Sequence, residues 1–170
     1  MLKGFAPVTG AHPRVLILGS MPGALSLRAS QYYAHPRNQF WPIMGMLVGA
    51  EPALPYPQRL ARLTAAGIAL WDVFDRCERE GSLDSEIRDD TALTNDFRGF
   101  FTAHPDVATV LLNGGKAAQS FQRRVLPALP DLGLRCVRLP STSPAHASMR
   151  LDAKRAAWRD ALQAAGIAAA

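Results

Sequence analysis

The densest chemistry in this sequence lies in ten consecutive residues, Tyr32-Tyr33-Ala34-His35-Pro36-Arg37-Asn38-Gln39-Phe40-Trp41. Four aromatic rings, an imidazole, a guanidinium and an amide so close together fit no single periodic face. Aromatic faces can sandwich a flat ring, and the amide or imidazole can hydrogen-bond that ring or hold a water. Asn38 and Tyr33 are therefore read as functional. A structural reading would place Phe40 and Trp41 in the core and use the polar residues to cap the next helix; for Trp41 that reading is the better one.

Two shorter clusters accompany it. Gly19-Ser20-Met21-Pro22-Gly23 follows an aliphatic run and lets backbone approach a ligand closely, although an ordinary strand-to-helix turn has the same composition. It lacks the glycine spacing of the dinucleotide fingerprint and of the P-loop. Leu139-Pro140-Ser141-Thr142-Ser143-Pro144-Ala145-His146 is a proline-braced set of hydroxyls that could hold phosphate or simply turn the chain. Neither Ser20 nor Ser141 sits in a Gly-x-Ser-x-Gly elbow, which argues against a serine hydrolase.

These clusters need elements to position them. Residues 14–18, 68–72, 107–112 and 134–139 read as four strands, the first a continuous aliphatic run and the last alternating as an edge strand does. Residues 39–48 read as a buried helix. Residues 58–66 read as a helix between Pro57 and Gly67, proline inside its start and glycine past its end. Helices are also expected from a Thr94 cap through Phe97, Phe100 and Phe101, over 116–126, and over 149–165. Leu151, Ala157, Trp158, Ala161 and Leu162 form the apolar stripe of the last one. Residues 76–90 are polar, with little periodicity, and read as a long loop. The alternation of strand and helix predicts one α/β domain over residues 1–170, a parallel sheet with helices on both faces. Ligands in such sheets bind at the carboxyl ends of the strands, where 19–38, 71–76, 113–116 and 139–146 would lie.

Composition narrows the setting. The chain has 170 residues, is 48% hydrophobic and carries a net charge of +5, which draws polyanions and nucleic acid among them. Arginine outnumbers lysine and suits bidentate phosphate contacts. No apolar stretch approaches the length of a membrane span, and residues 1–7 do not read as a secretory signal. Cys77 and Cys136 cannot by themselves hold an iron–sulfur cluster and read as reduced thiols of a cytoplasmic protein.

Taken in order, Gly-Ser-Met-Pro-Gly, Tyr-Tyr-Ala-His-Pro-Arg-Asn-Gln-Phe-Trp and Leu-Pro-Ser-Thr-Ser-Pro-Ala resemble the uracil-DNA glycosylase superfamily, and most closely its hypoxanthine (deoxyinosine) DNA glycosylase branch. The resemblance runs from about Val15 to His146. It implies a three-layer α/β/α sandwich around a four-stranded parallel sheet. It also implies a monofunctional glycosylase that flips a deaminated base from the stack and hydrolyses its N-glycosidic bond.

By the same resemblance Asn38 is the catalytic residue. Ser20, Met21, Tyr33, Phe40 and Asp72 bind the base, with Phe40 stacking on it, Tyr33 closing the pocket and Asp72 accepting N1–H of hypoxanthine. Arg37, Ser141, Thr142, Ser143, His146 and Arg150 contact DNA. Met21 replaces a water-positioning polar residue of other branches, and Leu139 a histidine of the uracil-specific one; both departures point away from uracil. Duplex DNA is the expected partner, with single-stranded DNA beside it. No cofactor, metal or membrane is implied, and the protein is read as a monomer. The alternatives are a uracil or mismatch-uracil glycosylase and a non-catalytic nucleic-acid-binding module of the same fold.

Overall fold

Short runs of β-branched and aliphatic residues, each stopped by glycine, proline or a polar side chain, set the framework. The computed structural model describes all 170 residues. Its elements run β1 (Leu2–Lys3), β2 (Val15–Gly19), α1 (Ala24–Ala29), α2 (Phe40–Val48), α3 (Tyr56–Ala65), β3 (Ile68–Asp72), β4 (Phe74–Cys77), β5 (Leu93–Thr94), α4 (Phe97–Ala103), β6 (Thr109–Asn113), α5 (Gly115–Arg124), β7 (Arg135–Leu139) and α6 (Leu151–Ala164). The four predicted strands and five predicted helices are present, with ends displaced by at most three residues.

The central sheet has the order β3-β2-β6-β7, and all its pairs are parallel. Every residue of β2, β3 and β6 is buried, whereas β7 at the edge exposes Arg135 and Arg138. Alternate residues feed two cores. Leu16, Leu18, Val110 and Leu112 pack with Phe97, Phe101 and Phe121 of α4 and α5. Val15, Ile17, Leu70 and Leu111 pack with Phe40, Ile43, Met44, Leu63 and Trp158 of α2, α3 and α6. The result is the three-layer α/β/α sandwich that the sequence predicts.

Several features differ from expectation. Residues 76–90 are not simply a loop: β4 pairs antiparallel with β1 on one side and β5 on the other, forming a second, three-stranded sheet. Two of those strands have only two residues, too few to show a period. The six-residue helix α1 has no amphipathic signature either. The cap of α4 is Asp96, whose carboxylate accepts from Gly99 N at 3.0 Å, and not Thr94. On α6, Leu151 is 38% exposed while Lys154 is 1% exposed. The stripe turns there because Lys154 Nζ donates to the His146 carbonyl at 2.6 Å, pinning the 140–150 loop.

Because β2 pairs with β3 on one side and β6 on the other, the chain reverses direction across the sheet at β2. A crevice opens at such a switch point, above the carboxyl ends of the strands.

Candidate active site

Glycine at the end of β2 makes room for two polar groups. A Cβ at Gly19 would lie 2.6 Å from Asp72 Oδ1 and 3.0 Å from the Tyr33 hydroxyl, so it would push Asp72 aside and crowd Tyr33. The next residue, Ser20, is buried and donates its hydroxyl to Asp84 Oδ1 at 2.5 Å. The Pro22 carbonyl accepts from Arg79 Nη2 at 2.7 Å, and Ala24 N donates to Ser82 Oγ at 2.9 Å. The polar segment 78–92 is thereby fastened over the mouth of β2.

The aromatic segment forms the next wall. Tyr33 has φ 54°, an unusual backbone for a residue with a Cβ. Tyr32, its neighbour, is anchored at both ends: its hydroxyl donates to the Ala6 carbonyl at 2.9 Å, and its own carbonyl accepts from Trp41 Nε1 at 2.9 Å. Tyr33 lies on Phe40 with ring centroids 4.1 Å apart. Burial, and then the nearby Asp72, push the Tyr33 phenol far above its ordinary pKa, so it remains a neutral hydroxyl. Phe40 is corrected here: it is fully buried behind Tyr33, and Tyr33 is the ring that faces the cavity. An apolar helix start gives no sign of which ring lies in front.

Asn38 does two things. Its Oδ1 accepts from Phe40 N at 2.9 Å, satisfying the first amide of α2 from just ahead of the Gln39 cap, and this bond fixes which end of the amide is which. Its NH2 makes no hydrogen bond within the protein and belongs to the cavity wall.

β6 ends in Asn113, and β7 runs into the hydroxyl loop. Asn113 Nδ2 donates to the Tyr33 hydroxyl at 3.1 Å and to Thr142 Oγ1 at 3.0 Å, while its Oδ1 accepts from Thr142 N at 3.0 Å. Thr142 is corrected in turn: with no exposed surface it braces the loop and offers no group to a phosphate. Its carbonyl also takes Gln39 N at 2.9 Å, joining this loop to the start of α2. Ser141 and Ser143 are half-buried, and each hydroxyl accepts from the backbone two residues on. His146 lines the cavity and keeps a buried Nε2 without a partner.

Asp72 completes the site. It is 3% exposed, and its Oδ2 has no hydrogen-bond partner. Burial first, and then the Asp84 carboxylate, raise its pKa from 3.8 to about 7, against the pull of Arg79. Arg79 forms no ion pair with it: Nε and Nη2 donate to the Gly81 and Pro22 carbonyls, and the buried Nη1 has no partner.

These walls line an open-mouthed cavity of about 580 Å³. It gathers Ser20, Met21, Tyr33, Arg37, Asn38, Asp72, Ser141, Ser143 and His146, with Thr142 buried in the same wall. Arg150 stands outside it, its side chain 89% exposed and 3.5 Å from Asp152. Asp84, Ser82 and Asn113 also line the cavity; the sequence marks Asn113 only as the start of the 113–116 wall and gives Ser82 and Asp84 no role. Asn113 could have been found by the rule that found Asp72, a polar residue ending a buried strand. Asp84 lies in a stretch without periodicity and gave no signal. No three His, Cys, Asp or Glu side chains are grouped as metal ligands would be.

Comparison with known proteins agrees with this geometry. Residues 6–163 match the family model of the uracil DNA glycosylase superfamily. The chain is 35% identical over 162 residues to a hypoxanthine DNA glycosylase of Methanosarcina barkeri, covering 95% of this chain and 98% of that protein. It is 37% identical over 145 residues to a hypoxanthine DNA glycosylase of Methanosarcina acetivorans, covering 85% and 87%. The solution NMR structure of a candidate uracil DNA glycosylase from Methanosarcina acetivorans superposes with a TM-score of 0.74 at 36% identity, over 93% of this chain and 96% of that one.

Proposed function

The chain belongs to the uracil DNA glycosylase superfamily, and from that premise we propose that it is a monofunctional DNA glycosylase that excises hypoxanthine by hydrolysing its N-glycosidic bond. The observation that carries the substrate is the pairing of an open-mouthed cavity of about 580 Å³ with a buried, unpartnered carboxyl at its wall. The site presents Met21 where a polar water-holding residue would serve uracil chemistry.

A base stacked inside a duplex offers no access to its glycosidic bond, so the nucleotide must swing into the cavity. There the Tyr33 ring covers one face, and Asp72 lies within reach of the purine edge. Asn38, held by its bond to Phe40, presents its NH2 to the base or to the attacking water. Its oxygen keeps a second lone pair that can orient that water. An amide is no general base, so the help it gives is placement. As the bond to C1′ breaks, the sugar becomes cationic and the base anionic, and fixed dipoles around both lower the barrier.

We assign the DNA backbone to Arg37, Ser141, Ser143, His146 and Arg150, with the net charge of +5 supplying attraction that salt screens. Duplex DNA is the proposed substrate form, single strands a second one, and the working unit a monomer in the cytoplasm.

The test is a cleavage assay on oligonucleotides carrying deoxyinosine, deoxyuridine or deoxyxanthosine. Release of hypoxanthine well above uracil is expected. Efficient uracil release with none of hypoxanthine refutes the substrate, and no release of any base while DNA still binds refutes the enzyme.

A further inference from the structure

We propose that Asp72 is a catalytic acid, passing its carboxyl proton to N7 of the flipped purine as the C1′–N9 bond breaks; this rests on the hypoxanthine reading above. The environment is arranged against an ionised Asp72. The side chain is buried, Oδ2 has no donor, and no lysine, arginine or histidine pairs with it. The single nearby cation, Arg79, is half committed to carbonyls of its own loop and of Pro22. The protein sets a second carboxylate near the first: Asp84, carried on the 78–92 segment and gripped by Ser20 Oγ at 2.5 Å. Two carboxylates in one cavity favour a proton on the one that is buried.

The other groups around Asp72 do not reverse this. Tyr33 and Tyr32, from the aromatic segment, are neutral phenols whose pKa values burial pushes up. Asn113 from β6 and Asn95 ahead of α4 carry no charge, and Asn95 Nδ2 is spent on the Asp72 carbonyl at 2.8 Å. His35, Arg37 and His146 line other parts of the same cavity. The pKa near 7 agrees with the geometry.

The chemistry gives that proton a purpose. A pyrimidine leaves as an anion spread between N1 and a carbonyl, which hydrogen-bond donors can steady. A purine carries N7, a ring acceptor on the opposite side from the pairing edge. When C1′–N9 breaks, the bonding pair moves into the ring; a proton arriving at N7 from Asp72 lets the base depart neutral. Water oxygen bonds to C1′ and gives up a proton to solvent, and solvent restores the acid form of Asp72. The overall change is addition of one water across the glycosidic bond. This role excludes the one expected from the sequence, in which an ionised Asp72 accepts N1–H, because the two use different edges of the base and opposite protonation states.

Single-turnover release of hypoxanthine from a deoxyinosine duplex, followed from about pH 5 to about pH 9, separates them. For the native protein the rate should be level at acid pH and fall roughly tenfold per unit above about pH 7. Asp72→Asn should lower the rate about 10²-fold or more and abolish that falling limb. Asp84→Asn should move the limb to lower pH, and it reads the proposal even if Asp72→Asn does not fold, which a thermal melt reveals. A native rate that rises through this range, or an Asp72→Asn variant that keeps the limb, overturns the acid role and leaves the substrate assignment standing. No release of hypoxanthine at any pH sinks the substrate assignment and the acid role with it.

Discussion

β3 and β6 flank β2 on opposite sides, and each ends in a small polar residue at the mouth of the crevice. Asn113, at the end of β6, is saturated: both amide hydrogens and the oxygen are bonded, to the buried Thr142 and the partly buried Tyr33. Asp72, at the end of β3, is equally buried and leaves Oδ2 with nothing. Buried polar groups are normally paired, because each unpaired one costs about 1–3 kcal/mol. The saturated residue holds architecture in place. The unsatisfied one carries a cost that only a ligand or a proton relieves, which is how strained sites serve function.

The sharpest way to break this contrast is to remove the saturated partner. Asn113→Ala strips Thr142 N and the Tyr33 hydroxyl of their partners at once, and it should cost roughly 2–4 kcal/mol in a denaturant melt. A loss under about 0.5 kcal/mol would mean the network is incidental. Asn38 stands between the two cases, one end bonded and the other free. Asn38→Ala should lower hypoxanthine release about 10²-fold or more while DNA affinity stays nearly intact; unchanged release refutes its role.

Asp72→Asn should move stability in the opposite direction from Asn113→Ala. The folded protein holds a proton up to about pH 7 that the unfolded chain gives up near the ordinary carboxylate value. Stability carried by the protonated side chain is therefore present below the unfolded pKa and lost as pH rises through about 7. The amide has no such loss, so the variant should be about 1–3 kcal/mol more stable at pH ~8 and gain almost nothing at pH ~4. Equal melts at pH ~8 would show that Asp72 is satisfied after all. The smallest effect belongs to Arg150, exposed and outside the cavity. Arg150→Ala should weaken DNA binding a few-fold, with a salt slope shallower by about one, and leave the chemical step alone.

Much of this was legible beforehand, for identifiable reasons. β2, β3 and β6 are buried on both faces, so their sequences read as short, mostly apolar runs, that of β2 aliphatic throughout until its closing glycine. α3 was marked by Pro57 and Gly67. The cavity position followed from topology, and the aromatic segment stood out by composition. What stayed hidden depended on depth or on pairs. Nothing in Phe40 or Thr142 tells that one lies behind Tyr33 and the other faces Asn113. The second sheet rests on strands of two residues. Asp84 reaches the site only because Ser20, Pro22 and Ala24 bind its segment, contacts that span some sixty positions of chain.

The two borders of the parallel sheet have a further consequence. Val8 bonds to Leu70 in both directions, at 2.8 and 2.9 Å, and covers the free side of β3. On the far border β7 exposes Arg135 and Arg138. Unpaired strand borders recruit other chains, and charged or covered ones do not. Cleavage after Val8 would uncover Ile68-Ala69-Leu70-Trp71, an adhesive stretch with no charge to deter a neighbour. Loss of that short leading segment, which also removes β1 and the Phe5 and Ala6 carbonyls that hold Trp71 and Tyr32, should therefore appear as clumping together with a lower melting temperature.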